Sequence, residues 1–258
     1  MNIIEYAIET LCLGMLMIVA TIVTAVFQLP NSPIHQTIAD PLLRRFLIAV
    51  TIALSSMSVV YSPLGMRSGA HLNPSVTLTF WRLKKIRSID AFFYVLAQAL
   101  GAISGIWFAG ILIGMAIADP SVNYIATVPK VPEYDAFLVE FIISLGMMTL
   151  ILQVSNHPKL FKLTGLFCGM LLIVYIMLVA PISGMSMNPA RSLGSAIPAN
   201  AWHGFWVYCV APPLGMIIAS EIYLRTGKKK SRAELCCKIC PNSTTRCISP
   251  VCCQMCKL

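Results

Sequence analysis

Two short stretches carry the residues best suited to chemistry, and each contains an Asn-Pro pair. They are His71-Leu72-Asn73-Pro74-Ser75-Val76 and Met187-Asn188-Pro189-Ala190-Arg191-Ser192. Asn is a favoured helix N-cap, and Pro is favoured at the first helical position. Each stretch therefore predicts the start of a helix. Each asparagine amide can cap that helix with its oxygen and still offer N–H donors to a solute.

A helix N-terminus carries about half a positive charge. Two such ends that meet inside a membrane would repel cations, hydronium included, and would favour neutral solutes with acceptor lone pairs. Arg191 adds a full charge and further donors beside the second Asn-Pro pair. Pore diameter, hydrogen-bond donors and an arginine barrier are the usual means of selection in such pores. The two stretches therefore predict an ion-excluding pore.

Glu9 and Glu140 are the acids that lie deepest within apolar sequence. An acid at membrane depth suggests a proton relay or an ion site. The alternative is structural: each carboxyl group would accept backbone N–H bonds from the irregular loop ahead of one Asn-Pro pair. We favour the structural interpretation.

The basic tail, residues 226–258, contains a cluster of potential metal ligands, because seven cysteines fall within 21 residues. Cys237-x2-Cys240 and Cys253-x2-Cys256 are separated by twelve residues, close to structural zinc spacing. Three interpretations stay open: zinc or another soft metal on these four cysteines, lipidation of membrane-proximal cysteines, or a tail without a ligand. No cofactor is required elsewhere.

The composition predicts an integral membrane protein. The chain is 57% hydrophobic and 11% charged, with a mean hydropathy of +0.78, whereas soluble domains carry about 25% charged residues. Several long apolar segments exclude a soluble enzyme with one anchor. No nucleophile, base and orienting group stand together, so we do not expect an enzyme.

Six apolar segments are long enough to cross a bilayer, which needs about 20 residues. We predict spans at about residues 4–27, 42–61, 91–117, 136–154, 163–180 and 202–224. The segments 75–81 and 190–197, after the Asn-Pro pairs, are too short to cross and predict re-entrant half-helices. Residues 29–41 and 62–74 are predicted to be a connector and a loop. The fold class is an all-α membrane protein.

The spans divide into two matching halves, about residues 1–118 and 134–225. Each half has an acid in its first span and an Asn-Pro pair after its second. An odd number of full spans per half forces the halves into opposite orientations, which is an inverted repeat. Residues 1–225 would then form the channel domain, and residues 226–258 the tail.

Basic residues predict the orientation. One side would hold the tail and seven further cations: Arg67, Arg82, Lys84, Lys85, Arg87, Lys159 and Lys162. The other side would hold three cations mixed with acids. Because positive loops stay inside, we expect both termini to be cytoplasmic and the protein to span the plasma membrane. The basic tail suggests anionic lipid as its neighbour rather than nucleic acid.

The run Ser68-Gly69-Ala70-His71-Leu72-Asn73-Pro74 and the second stretch resemble the two signature loops of the aquaporin (major intrinsic protein) family, except that the first reads Asn-Pro-Ser instead of Asn-Pro-Ala. The resemblance covers about residues 4–225. It implies six tilted helices, two half-helices, a pore in each subunit and a homotetramer. It also implies the structural role for Glu9 and Glu140. The cysteine-containing tail is similar to that of bacterial members.

By spacing from the Asn-Pro pairs, the resemblance assigns the family's selectivity constriction to Ala53, Ile176, Met185 and Arg191. Strict water channels usually carry Phe at the first position and His at the second. Ala53 and Ile176 resemble some plant nodulin-like intrinsic proteins, which pass glycerol or metalloid hydroxides. Met185 departs from these, because they usually have a small residue there, and its long side chain could refill the space.

Other positions point towards water channels. Glycerol facilitators usually have Asp where this chain has Ser192, and Arg where it has Ala196; Phe205-Trp206 is similar to the water-channel branch. We therefore expect a passive channel for water and small uncharged solutes such as glycerol, urea or metalloid hydroxides. Two alternatives remain: a secondary transporter with a mid-membrane site, and a channel gated by metal binding to the tail.

Overall fold

The computed structural model describes residues 2–226 and five residues of the tail. The five are Leu235, Cys236, Lys238, Ile239 and Ile248. Every regular element in this described part is helical. Six helices are long and apolar enough to cross a membrane. The predicted fold class, an all-α membrane protein with six spans and two half-helices, is confirmed.

The helices follow the predicted order. The six membrane helices are α1 (Ile3–Gln28), α3 (Pro41–Tyr61), α6 (Ser88–Ile113), α7 (Glu133–Ser155), α8 (Thr164–Ser183) and α10 (Phe205–Thr226). The half-helices are α5 (Pro74–Arg82) and α9 (Pro189–Ala199). Two short helices, α2 (Pro33–Thr37) and α4 (Pro63–Ser68), lie in segments predicted as a connector and a loop.

The short helix α4 has its own start signal. Ser62 accepts a hydrogen bond from the Gly65 N–H at 3.0 Å, and Pro63 occupies the first helical position. This Ser-Pro pair is the same kind of start as the Asn-Pro pairs. It lies at the end of a span, so the loop prediction for 62–74 was wrong over its first half.

Six crossings place the start of α1 and the end of α10 on one side of the membrane. We call the side where α1 begins and α10 ends the tail side, and the opposite side the far side. The helices α3 and α7 end on the tail side, and α1, α6 and α8 end on the far side. The half-helices start near the middle, with α5 running to the tail side and α9 to the far side.

Glycines bring α1 and α6 into backbone contact. A Cβ built on Gly101 would lie 2.3 Å from the Thr10 carbonyl oxygen, and one on Gly105 would lie 2.5 Å from that of Gly14. Small residues four apart are the sequence signature of close helix approach in membranes. Small residues also allow a close contact between the two repeats. A Cβ on Gly194 of α9 would lie 2.7 Å from the Ala102 Cβ on α6.

Gly101→Ala is expected to destabilise the folded protein by about 1–3 kcal/mol, because the added methyl would push α1 away from α6. Gly110 on the same helix is the matched control, because its Cβ would meet only the Ile117 side chain, at 3.7 Å. Gly110→Ala should keep or raise stability, since Ala is the better helix former. Thermal unfolding midpoints in detergent measure both; equal midpoints would contradict the tight contact.

The two repeats interlock through their half-helices. The half-helix α5 packs on α10 of the second repeat, and α9 packs on α6 of the first. The two half-helices contact each other, and hydrogen bonds join the residues at their N-terminal ends. The predicted inverted repeat is therefore present, and the positive ends of both half-helices meet in the interior of the bundle.

Candidate pore and its lining

The two asparagines cap the half-helices with their side-chain oxygens. Asn73 Oδ1 accepts from the Ser75 N–H at 2.8 Å. Asn188 Oδ1 accepts from the Ala190 N–H at 3.0 Å and the Arg191 N–H at 3.2 Å. Both asparagines have extended backbone, as an N-cap requires. The structure thus places the Asn-Pro pairs at two buried helix starts.

The same asparagines also join the repeats. Asn73 Nδ2 donates to the Met187 carbonyl oxygen at 2.7 Å, and Asn188 Nδ2 donates to the Leu72 carbonyl oxygen at 2.8 Å. An amide nitrogen carries two hydrogens, and each crossing bond uses one. The other hydrogen of each amide remains to meet a solute, and the crossing bonds hold both amides in a fixed orientation.

The loops ahead of the half-helices contain strained backbone in matching places. Ala70 and Leu72 have φ of 53° and 52°, and Met185 and Met187 have φ of 50° and 52°. Positive φ is uncommon for residues other than glycine and costs about 1–3 kcal/mol each. Such loops persist only when other contacts hold them, and two buried acids provide those contacts.

Glu9 holds the first loop. Its Oε1 accepts from Ser68 Oγ at 2.7 Å and from the His71 N–H at 3.1 Å. Its Oε2 accepts from the Leu72 N–H at 2.6 Å and from Gln98 Nε2 at 2.8 Å. Glu9 is fully buried, and its four acceptor positions are all used.

Glu140 holds the second loop in the same way. Its Oε1 accepts from Ser183 Oγ at 2.6 Å and from the Ser186 N–H at 2.9 Å, and its Oε2 accepts from the Met187 N–H at 2.8 Å. The two loops also share a second contact. The Tyr94 hydroxyl donates to the Ser68 carbonyl oxygen, and the Tyr208 hydroxyl donates to the Ser183 carbonyl oxygen. Both acids have the contacts that the structural interpretation requires.

A central cavity of about 720 Å³ passes between the helices. Its far-side lining includes Gln28, Arg45 and Lys130, and its tail-side lining includes Val60 and Gly165. Asn73 and Asn188 both line it as well. The central cavity therefore reaches from one side of the bundle to the other and passes the two half-helix ends on the way.

Three of the four residues assigned to the constriction line the central cavity. They are Ile176, Met185 and Arg191. Ala53 is fully buried and is not among the described residues that line the central cavity. The lining residues of α3 include Ile48, Ile52 and Ser56. The difference arises because spacing along the chain does not set how α3 is rotated about its axis. The role of Ala53 in the constriction stays a prediction.

Arg191 brings a positive charge to the wall of the central cavity. Its backbone N–H is taken by Asn188, but its Nη1 has no hydrogen-bond partner among the described residues. A guanidinium has five N–H donors and no acceptor. Arg191 is among the residues that line the central cavity, and its charge opposes the passage of a cation.

Gln98, Thr127 and Ser186 help to hold this site and were not singled out from the sequence. Gln98 is an isolated amide in an apolar span, and this isolation could have pointed to its structural role from the sequence alone. Ser192 Oγ lies 2.6 Å from both Thr127 Oγ1 and Ser186 Oγ. Ser75 Oγ is buried with no partner among the described residues, so a hydroxyl there adds no hydrogen bond to the half-helix.

The proposed metal ligands cannot be compared with the structure. Cys237, Cys240, Cys253 and Cys256 lie outside the described residues. Within the described part, no group of three or more His, Cys, Asp or Glu residues could hold a metal ion. Zinc binding by the tail stays a prediction.

A family model described as Major intrinsic protein matches residues 5–223. The chain is 38% identical over 177 residues to the probable aquaporin NIP7-1 of Arabidopsis thaliana. This alignment covers 68% of this chain and 62% of that protein. It is 32% identical over 177 residues to nodulin-26 of Glycine max, with coverage of 68% and 64%. The chain thus aligns with about three fifths of the length of these plant relatives. The predicted bacterial source stays a prediction.

A solved structure has the same fold. The aquaglyceroporin from Plasmodium falciparum superposes with a TM-score of 0.70 at 23% sequence identity, covering 88% of this chain and 97% of that one. At this identity the likeness concerns the fold alone. The family match, in contrast, spans both repeats and both Asn-Pro loops. The chain is therefore an integral, multi-pass membrane protein that belongs to the major intrinsic protein family.

Proposed function

We propose that the protein is a passive channel for water and small uncharged solutes that excludes ions and protons. The central cavity carries this proposal, because it crosses the bundle and is lined by Asn73 and Asn188. Each amide offers a donor to an oxygen-bearing solute. The two half-helix ends and Arg191 place positive charge beside that path and so oppose cations.

The solutes in this proposal are water together with glycerol, urea or metalloid hydroxides. All are neutral and carry oxygen or nitrogen atoms that hydrogen-bond with the asparagine amides and Arg191. The Ile176 and Met185 side chains line the wall and make it less polar than one with a histidine.

The contacts of the buried acids argue against a secondary transporter. Such a transporter needs acids or unwound carbonyls that can bind the coupling ion. Glu9 accepts four hydrogen bonds and Glu140 accepts three from their own loops. These carboxyl groups therefore have little acceptor capacity left for an ion. A metal-gated channel remains the second candidate, and it depends on the tail cysteines.

The orientation and assembly also belong to this proposal. The tail side holds Arg82, Lys84 and Arg87, which are at least partly exposed, and positive residues accumulate on the cytoplasmic side. We infer that the tail side is cytoplasmic, that the plasma membrane is the location, and that the protein is a homotetramer, as the resemblance implies. Chemical cross-linking in native membranes tests the subunit number.

Stopped-flow light scattering of proteoliposomes tests the channel. Water, glycerol, urea and arsenite should be compared in the same vesicle preparation, each against protein-free liposomes. A channel predicts fast flux with a low activation energy that does not saturate. Flux that requires a proton gradient, or that saturates steeply with solute concentration, would support a transporter instead.

The variant Ile176→Trp tests whether solutes pass through the central cavity at Ile176. The added ring would occupy the central cavity, so water and solute permeability should fall by about tenfold or more. Leu178→Trp is the matched control, because Leu178 lies on the same helix and is 64% exposed on the outer surface. The control should conduct as the unchanged protein does. Equal permeability of the two variants would mean that solutes do not pass Ile176.

A further inference from the structure

Part of the tail is packed into the channel. Leu235, Cys236 and Lys238 are at most 1% exposed, and Ile239 is 7% exposed. Leu235 and Ile239 belong to the same hydrophobic cluster as residues of the membrane helices. A tail that only tethered charge to the membrane surface would not bury these side chains.

Two anchors attach this segment to the tail side of the bundle. The Cys236 N–H donates to Asn156 Oδ1 at 2.8 Å, and Cys236 Sγ donates to the Ser155 carbonyl oxygen at 3.1 Å. Ser155 and Asn156 form the end of α7. The Ile239 N–H donates to the Gly69 carbonyl oxygen at 3.2 Å. The segment therefore bridges from the end of α7 to the loop that leads into α5.

Ile239 is also part of the wall of the central cavity. The cavity-lining residues Val60 and Gly165 lie at the tail-side ends of α3 and α8, and Gly69 lies in the loop on the same side. An apolar side chain at a narrow aqueous opening acts as a gate, because water leaves a hydrophobic constriction. The position of Ile239 thus suits a closing element.

We propose that the tail segment defined by Leu235, Cys236, Lys238 and Ile239 is a plug that closes the tail-side mouth of the channel. Cys236 fastens it to the end of α7, Ile239 occupies the mouth, and release of the segment opens the path. This inference rests on the proposed channel function. It assigns the tail a regulatory role that needs no metal.

Water permeability tests the plug. The full chain should be compared with a chain that ends at Thr226 and with Ile239→Asp, whose charged side chain would resist burial. If about nine channels in ten are plugged, both changes should raise permeability roughly tenfold. Ile239→Leu is the matched control; it keeps an apolar side chain of the same size and should remain closed.

Trypsin provides a second measurement on the intact chain. Lys238 is fully buried, whereas Lys84 is exposed on the same side of the membrane. Cleavage after Lys238, measured by mass spectrometry relative to cleavage after Lys84, should be slow in the unchanged protein. It should become several-fold faster in Ile239→Asp and stay slow in Ile239→Leu.

The outcomes separate the plug from the channel. If the shortened chain and Ile239→Asp conduct no faster than the full chain, the plug is overturned, whatever the cleavage pattern, and the channel proposal stands. If none of the proteins conducts water or a neutral solute, the channel proposal itself fails. A tenfold rise in both variants together with faster cleavage after Lys238 in Ile239→Asp supports the plug.

Discussion

Glu9→Gln is expected to destabilise the protein by about 2–4 kcal/mol and to remove most of its permeability. The substitution replaces one acceptor oxygen by an NH₂ group that must face donors. Depending on its orientation, that group opposes either the Leu72 N–H and Gln98 or the His71 N–H and Ser68. A buried donor without an acceptor costs about 1–3 kcal/mol.

The loss of permeability follows from the loop that Glu9 holds. Leu72 has a positive φ of 52°, and its carbonyl oxygen accepts the crossing bond from Asn188. If the Leu72 N–H loses its acceptor, the strained backbone can relax and the crossing bond breaks. The Asn188 amide then loses its fixed orientation in the central cavity.

Glu5→Gln is the matched control, four residues earlier on the same helix. Glu5 pairs with Arg67 Nε at 3.2 Å, but the Arg67 side chain is 37% exposed. The Glu5 side chain is only 4% exposed, but a glutamine there keeps an oxygen that can accept from Arg67 Nε, so the control should unfold near the unchanged midpoint. The midpoint of thermal unfolding in detergent measures both. Equal midpoints for the two variants would mean that Glu9 does not hold the loop.

Arg191→Ala is expected to let protons and small cations pass at least about tenfold faster, which corresponds to a barrier lower by about 1.4 kcal/mol or more. The variant removes a full positive charge from the wall of the central cavity and leaves only the partial charges of the half-helix ends. Water permeability should be kept or should rise, because a bulky side chain is lost. A pH-sensitive dye inside proteoliposomes measures the proton flux.

Arg45→Ala is the control for charge alone. Arg45 also lines the far-side part of the central cavity, but it lies on α3, away from the half-helix ends. Its loss should leave proton exclusion nearly unchanged. If both variants leak equally, exclusion depends on the total charge of the mouth. If neither variant leaks, Arg191 is not part of the barrier and the half-helix ends suffice.

The sequence was sufficient for the membrane architecture, because that architecture depends on local composition. A stretch of about 20 apolar residues has one stable outcome in lipid, so all six spans were found. The Asn-Pro pairs combine two helix-start preferences that act within a few residues. These local rules located α5 and α9 to within one or two residues at each end.

The same local reasoning missed details that depend on the rotation and contact of whole elements. Each residue turns a helix by about 100°, so an error of one position moves a side chain off the cavity wall. Spacing assigned Ala53 to the constriction, which stays a prediction, while the structure shows that Ile52 and Ser56 of the same helix line the central cavity. No spacing rule predicts that Gln98 reaches Glu9 across 89 positions of sequence.

The sequence by itself thus determined that this chain spans a membrane six times and starts two helices at mid-depth. Those outcomes follow from hydrophobic length and helix capping, which act within one segment. Only the tertiary structure decided that Asn73 and Asn188 exchange hydrogen bonds with the opposite loops, and that Ile239 lies at the tail-side mouth. These contacts join distant parts of the chain, and their geometry exists only once the helices have packed.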